Sequence, residues 1–203
     1  VEYVKETSFT NNAAIQYVSP SYENVAKPES DIAFSLATAP IRTIAHFLKA
    51  SKQVLSDNRQ LAAIIDAELM NGLRLKEEYQ ILRGAGTAGN LSGIIGQATA
   101  YDTGLTQSGD SPADLILHMI YQVSLSKNVA TAVFVHPSTV HALMALKTTG
   151  TASSGEYIFS NPASTSTVPT IWGLPLVGTL TMESGKYLVG NFGAATLYDR
   201  EQA

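Results

Sequence analysis

The 203-residue chain contains no cysteine, which removes disulfides and thiolate metal sites and leaves the compartment open. No apolar run approaches the roughly 20 residues of a membrane-spanning helix, and the opening residues show no basic-then-apolar pattern. The chain reads as soluble, with no membrane partner expected. Charge is scarce too, at 15% Lys, Arg, Asp and Glu against about 25% in a typical soluble domain. The net charge of −4 argues against nucleic-acid contact. The shortage is uneven: from Asn128 to Met182 only Lys147 and Glu156 are charged. Charge is depleted at the cores of subunit interfaces, so this half is expected to face other subunits; a polar, uncharged Ser/Thr surface is the other reading.

What is present in strength is one helix. The stretch Asp57 to Arg83 carries Leu61, Ile64, Ile65, Leu69 and Leu73 at steps of three and four, with Arg59, Asp66, Arg74, Lys76 and Glu77 mostly off that stripe. Asp57 with Gln60 three residues on forms a capping-box pattern, and Gly84 stands where a left-handed stop residue is wanted. The helix would be roughly 40 Å long. Gly72 weakens its interior unless a neighbour packs closely there.

Before this spine, VEYVKETSF reads as a strand, residues 10–30 as a polar excursion, and Ile32, Phe34 and Leu36 alternate as a second strand with one apolar face. Together they predict a long β-hairpin with an extended tip. A two-stranded ribbon is marginal alone in water, so it should lie on something else, most economically a neighbouring subunit. The start at Val1 inside a strand suggests a processed or truncated product.

After the spine, residues 84–109 are Gly-, Thr- and Ala-rich and connective. Ser111, Pro112 and Asp114 then start a second helix, with a buried stripe of Leu115, Met119, Ile120 and Val123 ending near Asn128. Thr131–Val135 reads as a strand covered on both faces. Pro137 opens a third helix through Lys147, and 148–154 and 160–169 are loops around a strand candidate at Glu156–Phe159. WGLPLVGTLTM and KYLVGNFGAATLYDR give two or three strands with Gly turns. This order implies an α/β or α+β domain from about Tyr101 onward.

Candidate chemistry is thin. His46, His118, His136 and His141 share no metal-ligand spacing. GAGTAGN follows a helix instead of a strand and fails the dinucleotide fingerprint. No nucleophile elbow or convergent pair of acids can be placed, and the adjacent Glu77 and Glu78 point apart and are expected to be solvated or ion-paired. No catalytic residue, metal or cofactor is predicted.

VEYVKETSFTNNA, AKPESDIAFS, TIAHFLKASKQVLSD, GLRLKEEYQIL, GTAGNLSGI, ATAYDT, HMIYQV, GEYIF, WGLPLV and GNFGAATLYDR together resemble the major capsid proteins of tailed bacteriophages of the Hong Kong 97 type, over nearly the whole chain. The resemblance implies an α+β capsid fold: an extended hairpin loop over 1–45, a peripheral domain with the spine helix over 46–100, and an α/β axial domain over 101–203. It implies a structural shell protein, not an enzyme, in the virion, with copies of itself in hexamers and pentamers as partners, joined by scaffold or protease and portal. An encapsulin-type compartment shell is the runner-up. A soluble α/β ligand-binding protein or enzyme using residues 84–96 is the alternative of another class. The family's N-terminal arm and last peripheral strands are expected to be missing, so the chain resembles a subunit truncated at both ends. Some members cross-link through a lysine in the extended loop, and Lys27 in AKPESD holds the matching place. The family's asparagine acceptor and assisting glutamate have no counterpart here, so Lys27 is expected to be an ion-pairing loop residue. Thr165 and Thr167 are expected in an axial surface loop.

Overall fold

The computed structural model describes residues 1–15, 26–49, 59–147, 157 and 169–199. They fall into two compact units, one built on Val1–Ile41 and the other on Arg42–Leu197.

The first unit is the predicted hairpin. β1 (Glu2–Thr10) pairs antiparallel with β2 (Asp31–Thr38). Val1 and Ala39 close its base with two hydrogen bonds, 2.7 and 2.9 Å. At the far end the Asn12 backbone N–H donates to Ser30 Oγ at 3.1 Å, and its side-chain amide to the Glu29 carbonyl at 2.8 Å.

In the second unit the spine is α1 (Arg59–Arg83), 25 residues and about 37 Å long. Leu61, Ile65, Leu69 and Leu73 are half-buried as the stripe predicts, whereas Ile64 is 51% exposed. The proposed cap at Asp57 lies outside the described residues. Gly72 has its neighbour: a Cβ there would stand 3.1 Å from His46 Cε1, and His46 Nε2 is 2.8 Å from the Leu69 carbonyl. The missing side chain makes room for the imidazole.

Gly84 ends the helix for a different reason from the one expected. It does not adopt positive φ. Its backbone instead runs against the returning segment, where Ala85 bridges Ser92 and the Gly93 N–H donates to the Gly84 carbonyl at 2.8 Å. The short helix α2 (Ile94–Gln97) follows.

The centre of the unit is a sheet ordered β4-β5-β3-β6. It is fed by α3 (Pro112–Leu125), β3 (Ala132–Val135) and α4 (Pro137–Met144), then β4 (Thr170–Ile171), β5 (Leu174–Gly178) and β6 (Tyr187–Gly190). β3 runs parallel to β5 and antiparallel to β6. Parallel pairing needs a crossover, and α4 lies within it. One face of β3 buries Val133 and Val135 against Ala113 and Ile116 of α3, Leu143 of α4, and Ile171 and Leu176. On the other, Phe134 packs on Leu82, Met182 and Leu188 and meets Phe192 edge-on at 4.6 Å. The strand is covered on both faces, as its uninterrupted apolar sequence predicts.

One boundary and one buried face are corrected. α4 stops at Met144, and Lys147 instead bridges Tyr157. The buried line of α3 is Ala113 and Ile116 with Ile120; Leu115, Met119 and Val123 are half-buried. The helix is apolar nearly all round, so periodicity alone could not choose its inner face. The Glu156–Phe159 strand is described only at Tyr157, and the flanking loops lie outside the described residues.

Candidate assembly surfaces

Residues directly opposite in an antiparallel pair share a face. In the hairpin, Val4 pairs with Leu36, Glu6 with Phe34, and Phe9 with Ile32. Val4 and Phe9 differ in parity, and strict alternation would send them to opposite faces. The register shifts between Glu6 and Ser8, leaving Thr7 as an extra residue, with its hydroxyl donating to the Ala33 carbonyl at 3.1 Å. That bulge puts Phe9 back in phase. Val4, Phe9, Ile32, Phe34 and Leu36 therefore share one face, all 45–69% exposed. Alternation showed the apolar face of β2; the switch of phase in β1 had no sequence signal beyond the odd spacing of Val4 and Phe9.

Lys27 is exposed near the tip of this unit. Of the asparagines in the same loop, Asn12 donates to the Glu29 carbonyl, Asn11 Oδ1 accepts from the Ala13 N–H at 3.0 Å, and Asn24 lies outside the described residues. Thr165 and Thr167 lie outside them as well.

In the second unit, the C-terminal end of α1 is tied to the turn before β6. Arg83 pairs with Glu183, and Glu78 accepts a hydrogen bond from the Thr179 hydroxyl. Glu78 is thus a partly buried tie; Glu77 is exposed. The Gln80 side chain donates to Asn90 Oδ1 at 2.8 Å and accepts from the Leu91 N–H at 3.1 Å, which pins the glycine-rich loop to the helix. The N–H groups of that loop are turned inward: Gly86 donates to Leu91, Asn90 to Thr87 and Gly93 to Gly84. A phosphate cradle needs such groups free and convergent.

The histidines are dispersed. His46 packs at Gly72, His136 caps α4 by accepting from the Ser138 N–H at 3.1 Å, and His118 Nε2 lies 3.1 Å from Asp110 Oδ2. Among the described residues no three His, Asp or Glu side chains gather as a metal site would require. Asp114 accepts from the backbone N–H and hydroxyl of Ser111, which, with His118 nearby, hold its carboxyl below its ordinary 3.8 despite some desolvation.

A paired ribbon, a long spine and an α/β sheet domain, with large exposed apolar side chains, define a mixed α+β protein. The chain belongs to the phage capsid family, whose profile matches residues 1–203. It is 45% identical over 205 residues to the major capsid protein of Enterobacteria phage HK97, covering 100% of this chain and 50% of that protein. The chain thus spans half the length of this relative. Among solved structures it is similar to the capsid of an empty GTA particle (TM-score 0.56, 16% identity, 91% of this chain and 63% of that one). It is also similar to a chain from Microbacterium phage Oxtober96 (TM-score 0.54, 15% identity, 90% and 61%). The fold is the Hong Kong 97-like capsid fold.

Proposed function

We propose that the protein is a major capsid protein that assembles into hexamers and pentamers of an icosahedral phage head. The observation that carries this reading is the hairpin: five large apolar side chains share one half-exposed face of a two-stranded ribbon that cannot bury them itself. A neighbouring copy is the partner that covers them. The 45% identity to a major capsid protein supports the same reading.

The work of the molecule is then mechanical, with binding surfaces in place of a catalytic centre. Residues 1–45 act as the overlapping loop, 46–100 as the peripheral domain and 101–203 as the axial domain. Lys27 serves as an exposed loop residue and not as a cross-link donor. The virion is its location; scaffold or protease and portal are its further partners. Sedimentation of the whole gene product, with and without removal of the hairpin, tests the reading. Large closed particles that disappear with the hairpin are expected; particles unaffected by its loss would contradict it.

A further inference from the structure

The apolar face of the hairpin has a carboxylate at its centre. Glu6 is exposed and pairs with Phe34. On the same face the Val4–Leu36 pair lies to one side, about 7 Å along the ribbon, and past the bulge the Phe9–Ile32 pair lies to the other. Apolar side chains that are 45–69% exposed therefore border Glu6 on three sides, and its fourth side is the free edge of β1. The ribbon does not neutralise this charge. Lys5 pairs with Ser35 on the opposite face, and the Val1 ammonium donates to the Ala39 carbonyl at the base. The ion pairs among the described residues are Arg83–Glu183 and His118–Asp110, and Glu6 is in neither.

Covering this face takes a charge out of water. A carboxylate buried without a counter-charge opposes the contact that the apolar side chains around it favour, and it is tolerated only when paired. The charge also bears on which surfaces can cover the face. Without it, the five apolar side chains could stack on the same five of a second copy, a self-complementary contact that closes as a two-fold dimer. A two-fold axis through the centre of the patch brings one Glu6 against the other, and like charges forced together in a dry contact repel.

We propose that Glu6 selects what covers the hairpin: a surface of another copy that sets a Lys or Arg against Glu6 within an otherwise apolar seat, and not a second hairpin. This rests on the shell reading and adds to it the chemistry of the seat. A buried ion pair gains little over apolar residues of the same shape, so the carboxylate contributes discrimination more than strength. It works by the penalty it imposes on wrong surfaces: a plain apolar patch leaves Glu6 unpaired, and another hairpin meets it with the same charge.

Glu6→Gln, Glu6→Lys and Glu6→Leu are made in the whole gene product; the first keeps the size of the side chain and removes its charge. Glu6→Gln is expected to raise the protein concentration needed for shells by about tenfold or more, and Glu6→Lys to abolish shells. Glu6→Leu is expected to self-associate more than the parent in sedimentation before shells form, and addition of Phe34→Ser to reverse this. In a cryo-electron microscopy map of unmodified shells, the Glu6 carboxylate is expected within about 4 Å of a Lys or Arg nitrogen of the neighbouring subunit. Glu6 turned over the β1 edge into water, or seated without a cation, would overturn the proposal and leave the shell reading standing. Shells of Glu6→Gln and Glu6→Lys at the parent's concentration and yield would do the same, as would parent-like sedimentation of Glu6→Leu. Failure of the unmodified protein to form shells would overturn both.

Discussion

Gly84 and Gly93 lie back to back, with the Gly93 N–H bonded to the Gly84 carbonyl at 2.8 Å and no room at either for a methyl group. A Cβ on Gly84 would come within 2.2 Å of the Leu91 carbonyl oxygen, and one on Gly93 within 2.4 Å of the Gly84 nitrogen. Both obstacles are backbone and cannot swing aside. Gly84→Ala and Gly93→Ala are each expected to destabilise by roughly 2–3 kcal/mol or more. Gly96 has nothing within 4 Å of its absent side chain, so Gly96→Ala should be neutral or stabilise by about 0.4–1 kcal/mol. Urea unfolding of the three variants checks this; equal losses would contradict the close-approach account.

The corrected inner face of α3 makes a second contrast. Ile116 is 0% exposed and Leu125 62%. Ile116→Ala should cost about 2–5 kcal/mol, while Leu125→Ala should stay within roughly 0.5 kcal/mol of the parent. Similar costs at the two positions would contradict the corrected inner face.

The N-terminus of α3 should be sensitive to acid. The Asp114 carboxyl is held below its ordinary value by its bonds from Ser111. Its contribution is therefore present above the ordinary value of 3.8 and is lost as pH falls through the lower folded-state value. Asp114→Asn should flatten that acid-limb slope of stability against pH, and Ser111→Ala should cost about 1 kcal/mol at neutral pH. An unchanged slope in Asp114→Asn would contradict the assignment.

Deleting Thr7 removes the bulge and returns β1 to strict alternation, which puts Phe9 on the face opposite Val4. The variant is expected to leave the melting of the second unit unchanged and to abolish assembly. Particles of normal size and yield would show that the shared apolar face is not what a neighbour covers.

Much of this was legible because the signals were local. Ser111, Pro112 and Asp114 announce a helix start by their own chemistry, and the structure shows the full capping box. The apolar run at Ala132–Val135 announces a strand with two covered faces. What was illegible depends on partners distant in sequence. Gly84 reads as a left-handed stop until Gly93 is placed against it, Glu78 reads as a solvated or ion-paired acid until the Thr179 hydroxyl meets it, and Thr7 looks like any strand residue until β2 fixes the register. The apolar face of the hairpin was legible in part: alternation showed it on β2, but only the pairing brings Phe9 of β1 onto it.

Lys27 sits exposed, and two asparagines of the same loop are already engaged, Asn12 with the Glu29 carbonyl and Asn11 with the Ala13 N–H. Denaturing gels of assembled material are expected to show one monomer band, unchanged by Lys27→Ala. A ladder of multiples that Lys27→Ala abolishes would make Lys27 a reactive residue.

Cryo-electron microscopy of the whole gene product expressed alone bears most directly on the claim that this chain builds a shell. Closed icosahedral particles made of hexamers and pentamers, with each hairpin lying across an adjacent subunit through the Val4–Phe9–Phe34 face, are the predicted result. Monomers under every assembly condition, or particles whose hairpins contact nothing, would contradict it.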